Sequence, residues 1–495
     1  MELHDLTIRE LRARLEAGDV SSVEATEHVL KRIEELDGHV GAYLTVTAEQ
    51  ALAQAKAVDE ARARGEQLHP LAGIPGSLKD NICTDGVRTT AASKVLEEWV
   101  PPYDGTIVTK LKEAGAPIIG KTNLDEFAMG STTESSAFKK TRNPWHKERV
   151  PGGSSGGAAA SVAAGMAYWG LGTDTGGSIR QPAAFCGVVG MKPSYGVVSR
   201  FGVIAMASSL DQAGPFTRDV ADMAEVLNVL AGHDPKDSTS SPQPALDFTE
   251  ALKADAKSLR IGVPKEFFGE GVSAEVREAV EKAIKALEDA GATVKEVSLP
   301  HVDYALNVYS IIAPAEASSN LARIDGVRYG VRAKAGDVPT MMEQTRSLLG
   351  LEVKRRIVLG TFVRGKDVYE QVYVPATKVR TLVRQQFANV FGEVDVLMTP
   401  ASPTTAFELG RKVRDQMEAY AADVCTVPVN LAGLPALSMP CGVGADGLPI
   451  GLQIIGPAFG DAKVLQAAYT YEQLAWPTGA GRGWRAGKEV DVDGN

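Results

Sequence analysis

The chain has 495 residues, of which 44% are hydrophobic and 23% are charged, an ordinary composition for a globular protein that can bury a sizeable core. Its formal net charge of −10 argues against a broad basic face for autonomous nucleic-acid binding, although it leaves room for a local basic patch. No run approaches the roughly 18 apolar residues of a membrane span, and the first residues are not a signal peptide, so we expect a cytoplasmic protein without membrane contact.

The four cysteines, Cys83, Cys186, Cys425 and Cys441, are far apart and lie among apolar or small residues. No Cys-x-x-Cys pair occurs, so their spacing favours neither a zinc site nor a disulfide framework. We predict buried thiols and no metal site in this chain.

Residues 1–65 are predicted to form a helical segment packed on the outside of the core. Ser21 and Glu24 form a capping-box pattern ahead of apolar residues at helical spacing. A second, alanine-rich helix begins after Thr47 and ends near Gly65.

The stretch from 106 to 122 contains a nucleotide-binding motif whose meaning depends on the secondary structure around it. Residues 115–122 match the G-x-x-x-x-G-K-[ST] phosphate-loop pattern. A phosphate loop requires a strand before the glycines and a helix after them. Here Gly115 instead ends a predicted helix over 106–114, and 117–120 is predicted as a strand. We therefore disfavour nucleotide binding at this motif.

Residues 150–193 contain two glycine-flanked serine clusters, GGSSGG at 152–157 and TDTGGS at 173–178. Flanking glycines leave a serine hydroxyl open and let backbone N–H groups approach a ligand. A nucleophile and an oxyanion hole can then share one loop. Gly and Ser also make ordinary turns, but two clusters separated by a predicted buried helix and strand favour a site.

These clusters resemble the amidase signature family, whose members cut carboxamides with a Ser–Ser–Lys triad. The runs GGSSGG, TDTGGSIRQPAAFCGVVGMKP and the upstream GIPGSLKDN carry the resemblance. It implies that Ser178 is the nucleophile, Ser154 the bridging serine and Lys79 the base, with 150–193 as the signature core. The backbone N–H groups of Thr175, Gly176, Gly177 and Ser178 would then hold the oxyanion.

A lysine base fits the rest of the chain. None of the seven histidines lies in a glycine-rich or carboxylate-paired context, and Lys79 follows an apolar run where burial can lower its pKa. Two other serine-hydrolase motifs also occur, but the rest of the sequence supports them less well. Ser154 also fits G-x-S-x-G, which needs a later Asp and His, and Ser136-x-x-Lys139 lacks its companion motifs.

The predicted fold class is α/β, a single large domain over 1–495 with a central mixed β-sheet covered by helices on both faces, as in the resembling family. Helices are predicted at 219–231, 274–290 and through 302–391, and 234–247 is predicted as an exposed loop. Strands are predicted in 195–218, 260–264, 293–297, 394–398, 425–435 and 448–457.

A finer resemblance extends beyond the signature core. Residues 316–330 and 352–357 are similar to the glutamine-hydrolysing subunits of tRNA-dependent amidotransferases within this family. The resemblance implies that Arg356 holds the α-carboxylate of L-glutamine, that Asp423 holds its α-ammonium, and that Tyr309 lines the pocket. The alternative is that Arg356 belongs to a basic helical face with Lys354 and Arg355, and that Asp423 is a surface residue.

The same resemblance implies partners. A B subunit would bind Glu-tRNA(Gln), and in many members also Asp-tRNA(Asn), and would use ATP and Mg²⁺. A small C subunit would complete a heterotrimer. No cofactor is expected in this chain. A stand-alone amidase acting on small carboxamides and a catalytically silent scaffold subunit remain as alternatives, because fold does not determine function.

Overall fold

The centre of the molecule is an 11-stranded mixed sheet. The computed structural model describes residues 2–244, 246–411 and 421–475. The strands are β1 Tyr43–Val46, β2 Gly76–Lys79, β3 Ile118–Thr122, β4 Trp169–Asp174, β5 Val189–Lys192, β6 Gln212–Thr217, β7 Arg260–Pro264, β8 Thr293–Val297, β9 Val396–Pro400, β10 Ala436–Val443 and β11 Pro449–Ile455. Their order in the sheet is β1-β3-β2-β4-β6-β5-β10-β11-β9-β7-β8.

Helices cover this sheet. Strands β4, β6 and β11 are buried along their whole length, which requires cover on both faces. The helices are α1 Ile8–Ala17, α2 Ser22–Val40, α3 Ala48–Ala63, α4 Thr106–Glu113, α5 Gly156–Ala163, α6 Arg180–Cys186, α7 Val220–Leu230, α8 Ala274–Asp289, α9 Ala305–Asn320, α10 Val338–Ser347, α11 Leu351–Val363, α12 Lys366–Val368, α13 Val374–Val390, α14 Val427–Ala432 and α15 Asp461–Ala475. The predicted α/β class with a large mixed sheet is confirmed.

Helix α2 begins, and helix α3 begins and ends, where the sequence predicts. The Ser21 hydroxyl accepts from the Glu24 N–H, and the Glu24 carboxylate accepts from the Ser21 N–H. Helix α3 ends before Gly65, which has a φ of 73°. Strand β1, an edge strand between α2 and α3, was not predicted, because four residues carry too short a pattern to read.

The phosphate-loop motif is a helix end followed by a strand. Gly115 has a φ of 69° after α4, and Gly120 and Lys121 lie inside β3. The Lys121 Nζ is buried and donates to the Ile82 carbonyl and the Thr89 hydroxyl, both at 2.7 Å. No helix N-terminus follows that could bind a phosphate, since the next element is a single 3₁₀ turn, Glu126–Ala128.

Three predictions of local structure need correction. The apolar run in 425–435 contains helix α14 instead of a strand, because Pro428 lies in its first turn and Gly433 caps it with a φ of 74°. The stretch 195–218 contains β6 but no other strand among its residues, all of which are described. The loop at 234–247 is only partly exposed, since the buried Asp234 accepts from Ser199 and Thr106, both at 2.5 Å.

The four cysteines are free thiols, and three of them are buried while Cys441 is partly exposed. Within the described ranges, no helix is both long and apolar enough to cross a membrane.

Candidate active site

The two serine clusters meet at one edge of the sheet. Strands β2 and β4 are parallel neighbours, so their carboxyl ends lie side by side. Lys79 is the last residue of β2, and Ser178 lies in the loop between β4 and α6. Ser154, which precedes α5, follows a cis peptide bond from Gly153. The Ser155 N–H donates to the Ser178 carbonyl at 3.3 Å and joins the two loops.

The Lys79 ammonium nitrogen lies at the centre of this arrangement. Its side chain is fully buried, and its Nζ lies 2.7 Å from the Ser154 hydroxyl, 2.8 Å from that of Ser155 and 2.8 Å from that of Thr173. Burial lowers the pKa of Lys79 to about 7, against the opposing effect of the Asp125, Asp174 and Asp211 carboxylates. A buried lysine in this state can exist as the neutral amine at neutral pH.

Two of the three hydroxyls are committed to other bonds. The Ser155 hydroxyl donates to the Thr173 carbonyl at 3.0 Å, and the Thr173 hydroxyl also accepts from the Asn81 amide at 3.1 Å. Both can therefore accept an N–H of a neutral Lys79, whose remaining lone pair then faces Ser154. This geometry suits proton transfer from the Ser154 hydroxyl to Lys79.

The Ser178 hydroxyl is not engaged by the described residues. Ser178 is only 8% exposed, and its hydroxyl makes no hydrogen bond with any of them. The N–H groups of Gly176, Gly177 and Ser178 likewise donate to no acceptor in the described part of the chain. Gly177 has a φ of 144°, a conformation that side chains rarely adopt. Three adjacent free N–H groups beside a free hydroxyl can receive an anionic oxygen.

A buried ion pair between Arg180 and Asp174 connects the two ends of the Ser178 loop. Both Nε and Nη2 of Arg180 lie 3.0 Å from the Asp174 carboxylate, which also accepts from the Ile179 N–H at 3.2 Å. Asn430 bonds to both partners. Burial alone would raise the pKa of Asp174, but the Arg180 charge and its hydrogen bonds outweigh it and lower the pKa to about 2.

The opposite side of the loop contacts three further side chains. The Thr426 hydroxyl donates to the Gly176 carbonyl at 2.7 Å. A methyl group added at Gly176 would lie 2.9 Å from the Tyr309 ring, so this ring packs directly on the loop. Thr175, the first of the predicted oxyanion residues, donates its hydroxyl to Asp211 at 2.7 Å.

The predicted pair Arg356 and Asp423 also lies at this edge. Arg356 on α11 is 3% exposed and donates to Glu352 at 2.7 Å, whereas a third of the Arg355 side chain is exposed. Burial and the Asp174 charge raise the pKa of Asp423 to about 8, and the charges of Arg356 and Arg180 oppose this rise. Of the two neighbouring arginines, Arg356 is therefore the buried one, and its charge acts on the Asp423 carboxyl.

Several residues around Lys79 were not singled out from the sequence. They are Ser155, Thr173, Asn81 and the buried Asp125, whose carboxylate accepts from the N–H groups of Thr132, Thr133 and Ser135. Ser155 and Thr173 lie inside the two serine clusters, so the motif itself could have indicated them. Asn81 ends the run GIPGSLKDN, which carries the family resemblance, whereas Asp125 lies in none of these motifs.

The competing patterns do not form sites. The Ser154 hydroxyl is hydrogen-bonded to Lys79. Within the described ranges, no histidine is hydrogen-bonded to it. Lys139 pairs with Asp37 at 3.2 Å, and the Ser136 hydroxyl accepts from the Phe138 N–H. Among the described residues, no group of three or more His, Cys, Asp or Glu side chains could hold a metal ion.

Comparisons with known proteins cover nearly the whole chain. The family model described as Amidase matches residues 24–465. The A subunit of the glutamyl-tRNA(Gln) amidotransferase of Moorella thermoacetica is 60% identical over 474 residues, which are 96% of this chain and 97% of the relative.

Solved structures give the same relation. The crystal structure of the glutamyl-tRNA(Gln) amidotransferase A subunit from Thermotoga maritima is 41% identical, with a TM-score of 0.79 over 96% of this chain and 95% of that one. Peptide amidase from Stenotrophomonas maltophilia has a TM-score of 0.80 but is 31% identical, over 95% and 97% of the two chains. The two solved structures match the fold of this chain about equally well, but the amidotransferase subunit is more similar to it in sequence.

Proposed function

The chain belongs to the amidase family, and we propose that within it this chain hydrolyses glutamine as the A subunit of a glutamyl-tRNA(Gln) amidotransferase. The near full-length identity of 60% to a relative of that name supports the assignment. The observation that carries the chemistry is the buried Lys79 Nζ, which lies 2.7 Å from the Ser154 hydroxyl at the same edge of the sheet as Ser178.

We propose that Lys79 is the base. In its neutral form it accepts a proton from the Ser154 hydroxyl, and Ser154 in turn accepts the proton of Ser178. A serine hydroxyl is a poor nucleophile until its proton is removed, so this relay activates Ser178. The Lys79 pKa of about 7 makes the neutral amine available at neutral pH.

The Ser178 oxygen then attacks the side-chain amide carbon of glutamine. The negative charge that develops on the amide oxygen is held by the free N–H groups of Gly176, Gly177 and Ser178, with Thr175 at the start of the loop. Each such donor typically contributes about 3 kcal/mol to the transition state. The relay returns the proton to the leaving nitrogen, ammonia departs, and water cleaves the glutamyl ester on Ser178.

Three residues would select glutamine. A buried arginine suits a carboxylate, so Arg356 is proposed to bind the α-carboxylate. Asp423 is proposed to bind the α-ammonium. Without substrate, its pKa of about 8 favours the protonated acid, and an arriving ammonium group would favour the carboxylate. Tyr309 lines the pocket where it packs on Gly176.

The assembly is proposed as a heterotrimer with a B and a C subunit in the cytoplasm. Ammonia is mostly protonated in neutral water and then is not a nucleophile, so it should reach the partner without entering solvent. The B subunit would bind Glu-tRNA(Gln) and use ATP and Mg²⁺. The net charge of −10 fits a subunit that leaves tRNA binding to its partner.

Ammonia release from glutamine tests this function. It should be measured for the chain alone and with its B and C subunits, tRNA and ATP, for wild type and Ser178→Ala. Release that rises with the partners and vanishes in Ser178→Ala is the expected result. If glutamine stays intact under all conditions while Ser178 cleaves a simple amide, the alternative of a stand-alone amidase is correct.

A further inference from the structure

Exposed apolar side chains concentrate in one part of the chain. Of the 18 large apolar side chains that are exposed among the described residues, nine lie in the segment 321–384. The three most exposed of all are on helix α11, namely Leu351 at 85%, Val358 at 69% and Phe362 at 63%. Soluble proteins rarely expose such a group without a partner for it.

These three side chains lie on one face of α11, which we call the apolar stripe. Their spacing of seven and four residues returns to the same side of a helix after about three turns, over roughly 16 Å. The opposite face, which carries Val353, Arg356, Gly360 and Val363, is buried. Gly360 packs against the Pro314 carbonyl of α9 so closely that a methyl group there would overlap it. One face of α11 is therefore packed, and the other has no cover from the described residues.

The surroundings of the stripe are basic, although the chain is acidic. Segment 321–384 contains 13 Lys and Arg against 6 Asp and Glu, within a chain of net charge −10. Lys354, Arg364 and Lys366 are exposed on or just after α11. An apolar helix face with basic flanks complements an apolar groove with an acidic rim.

Helix α11 also borders the candidate site. Its inward face carries Arg356, and the Gly350 N–H before it donates at 2.7 Å to Glu126. Glu126 adjoins Asp125, whose carboxylate lies against Gly153 beside Ser154. A partner on the outer face of α11 would thus lie one helix away from the place where ammonia is released.

We propose that the apolar stripe of Leu351, Val358 and Phe362 docks into an acidic-rimmed groove of the B subunit. The proposal rests on the proposed function, because that function supplies an ammonia-accepting partner that must lie next to the site. A stable interface needs about 800 Å² on each side, more than the stripe offers. The contact therefore extends over neighbouring exposed apolar residues of the same segment, such as Leu348 and Tyr369.

Direct binding of the purified B subunit tests the proposal. Val358→Glu and Phe362→Glu, each in the full chain, should weaken binding by about tenfold or more and leave glutamine hydrolysis by the isolated chain within about twofold of wild type. Leu474→Glu is the matched control, because Leu474 is an exposed helical leucine outside the segment. Arg364→Glu should weaken binding less and reduce its dependence on salt.

The outcomes are distinguishable. If wild type binds B and both stripe variants bind it equally well, the docking proposal is wrong while the proposed function stands. If wild type does not bind B at all, both are overturned. Loss of binding to C only, loss of self-association, or loss of binding to phosphatidylcholine vesicles containing anionic phosphatidylglycerol, each with B binding intact, would assign the stripe to another occupant and overturn the docking proposal.

Discussion

At the scale of single residues, the candidate site depends on how burial alters two ionisable groups. Lys79 and Asp423 both have pKa values displaced towards their neutral forms, to about 7 and about 8. Desolvation is the main cause in both, because the charged form loses hydration that the protein does not fully replace. The proposed base and the proposed ammonium ligand therefore both titrate near physiological pH.

Glutamine hydrolysis should fall as pH drops through about 7, because protonation of Lys79 removes the base. Lys79→Met should lose about a thousandfold or more in kcat/KM. The control is Lys192→Met. Burial also lowers the pKa of Lys192 to about 7, but its Nζ donates to the Pro193 carbonyl and not to a serine of either cluster. A pH profile of kcat/KM that loses its acid limb in Lys192→Met would reassign the titration and contradict the role of Lys79.

The register of the α11 arginines gives a second test. Arg356→Lys should raise KM for glutamine about tenfold or more, because a lysine cannot form the two-point contact of a guanidinium with a carboxylate. Arg355→Lys should change KM by less than about twofold, since its side chain points towards solvent and Glu352. Initial rates over a range of glutamine concentrations decide it. Equal effects of the two substitutions would show that the buried position does not bind substrate.

At the scale of elements, the Ser178 loop is positioned by a helix and a strand that share one buried ion pair. Asp174 ends β4 and Arg180 begins α6, and both side chains are fully buried. The carboxylate also accepts the Ile179 N–H directly after Ser178. The sharp turn between the two elements is thereby fixed, and the N–H groups within it stay free of partners in the described ranges.

Asp174→Asn keeps the shape and removes the charge opposite Arg180. It should destabilise the fold by about 3 kcal/mol and reduce glutamine hydrolysis, because the loop loses its anchor. Asp395→Asn breaks a similar two-point contact, with the exposed Arg260, and should leave the free energy of unfolding nearly unchanged. Urea unfolding measures both. Similar losses in the two variants would mean that burial does not strengthen the first pair.

At the scale of the whole molecule, three buried carboxyl groups join the two ends of the described chain. Asp219 accepts from the Asp222 N–H, Asp222 accepts from the Ile8 N–H, and Glu472 on α15 accepts from the Val220 N–H. Burial raises the pKa of Asp219 to about 6 and also raises the pKa values of Asp222 and Glu472.

A carboxyl group whose pKa is raised by folding stabilises the folded state in its protonated form. For Asp219, this stability is fully present below the unfolded pKa of 3.8 and is lost as pH rises to about 6. The positive charges of Arg9 and Arg218 partly offset this rise in the Asp219 pKa.

Removing the charge of Glu472 should stabilise the protein at high pH. One of its carboxylate oxygens is buried without a hydrogen-bond partner among the described residues. Glu472→Gln should therefore raise the free energy of unfolding at pH 8 by on the order of 1 kcal/mol, and the gain should shrink as pH is lowered towards 5. The exposed Glu34→Gln is the control. A gain that does not depend on pH would exclude charge as its cause.

Much of the secondary structure could be predicted from local sequence patterns. The bounds of β7 and β8, the start of α2 and both ends of α4 and α8 agree with prediction to within about two residues, because caps and glycine stops act over one helical turn. The run at 427–432 was assigned wrongly, since a short apolar run fits a buried helix as well as a buried strand. The four-residue strands β1 and β2 were not predicted, because each is too short to show a periodic pattern.

The sequence by itself determined the family, the two serine clusters and the helical character of 302–391, and it predicts a lysine base, because each of these depends on contiguous residues or on a local period. Only the tertiary structure decided that Lys79 loses its charge easily, that Arg356 and not Arg355 faces inward, and that Asp125, Thr173 and Asn81 surround the site. These properties come from burial and from contacts between residues about 40 to 250 positions apart, and desolvation depends on what surrounds a group in space.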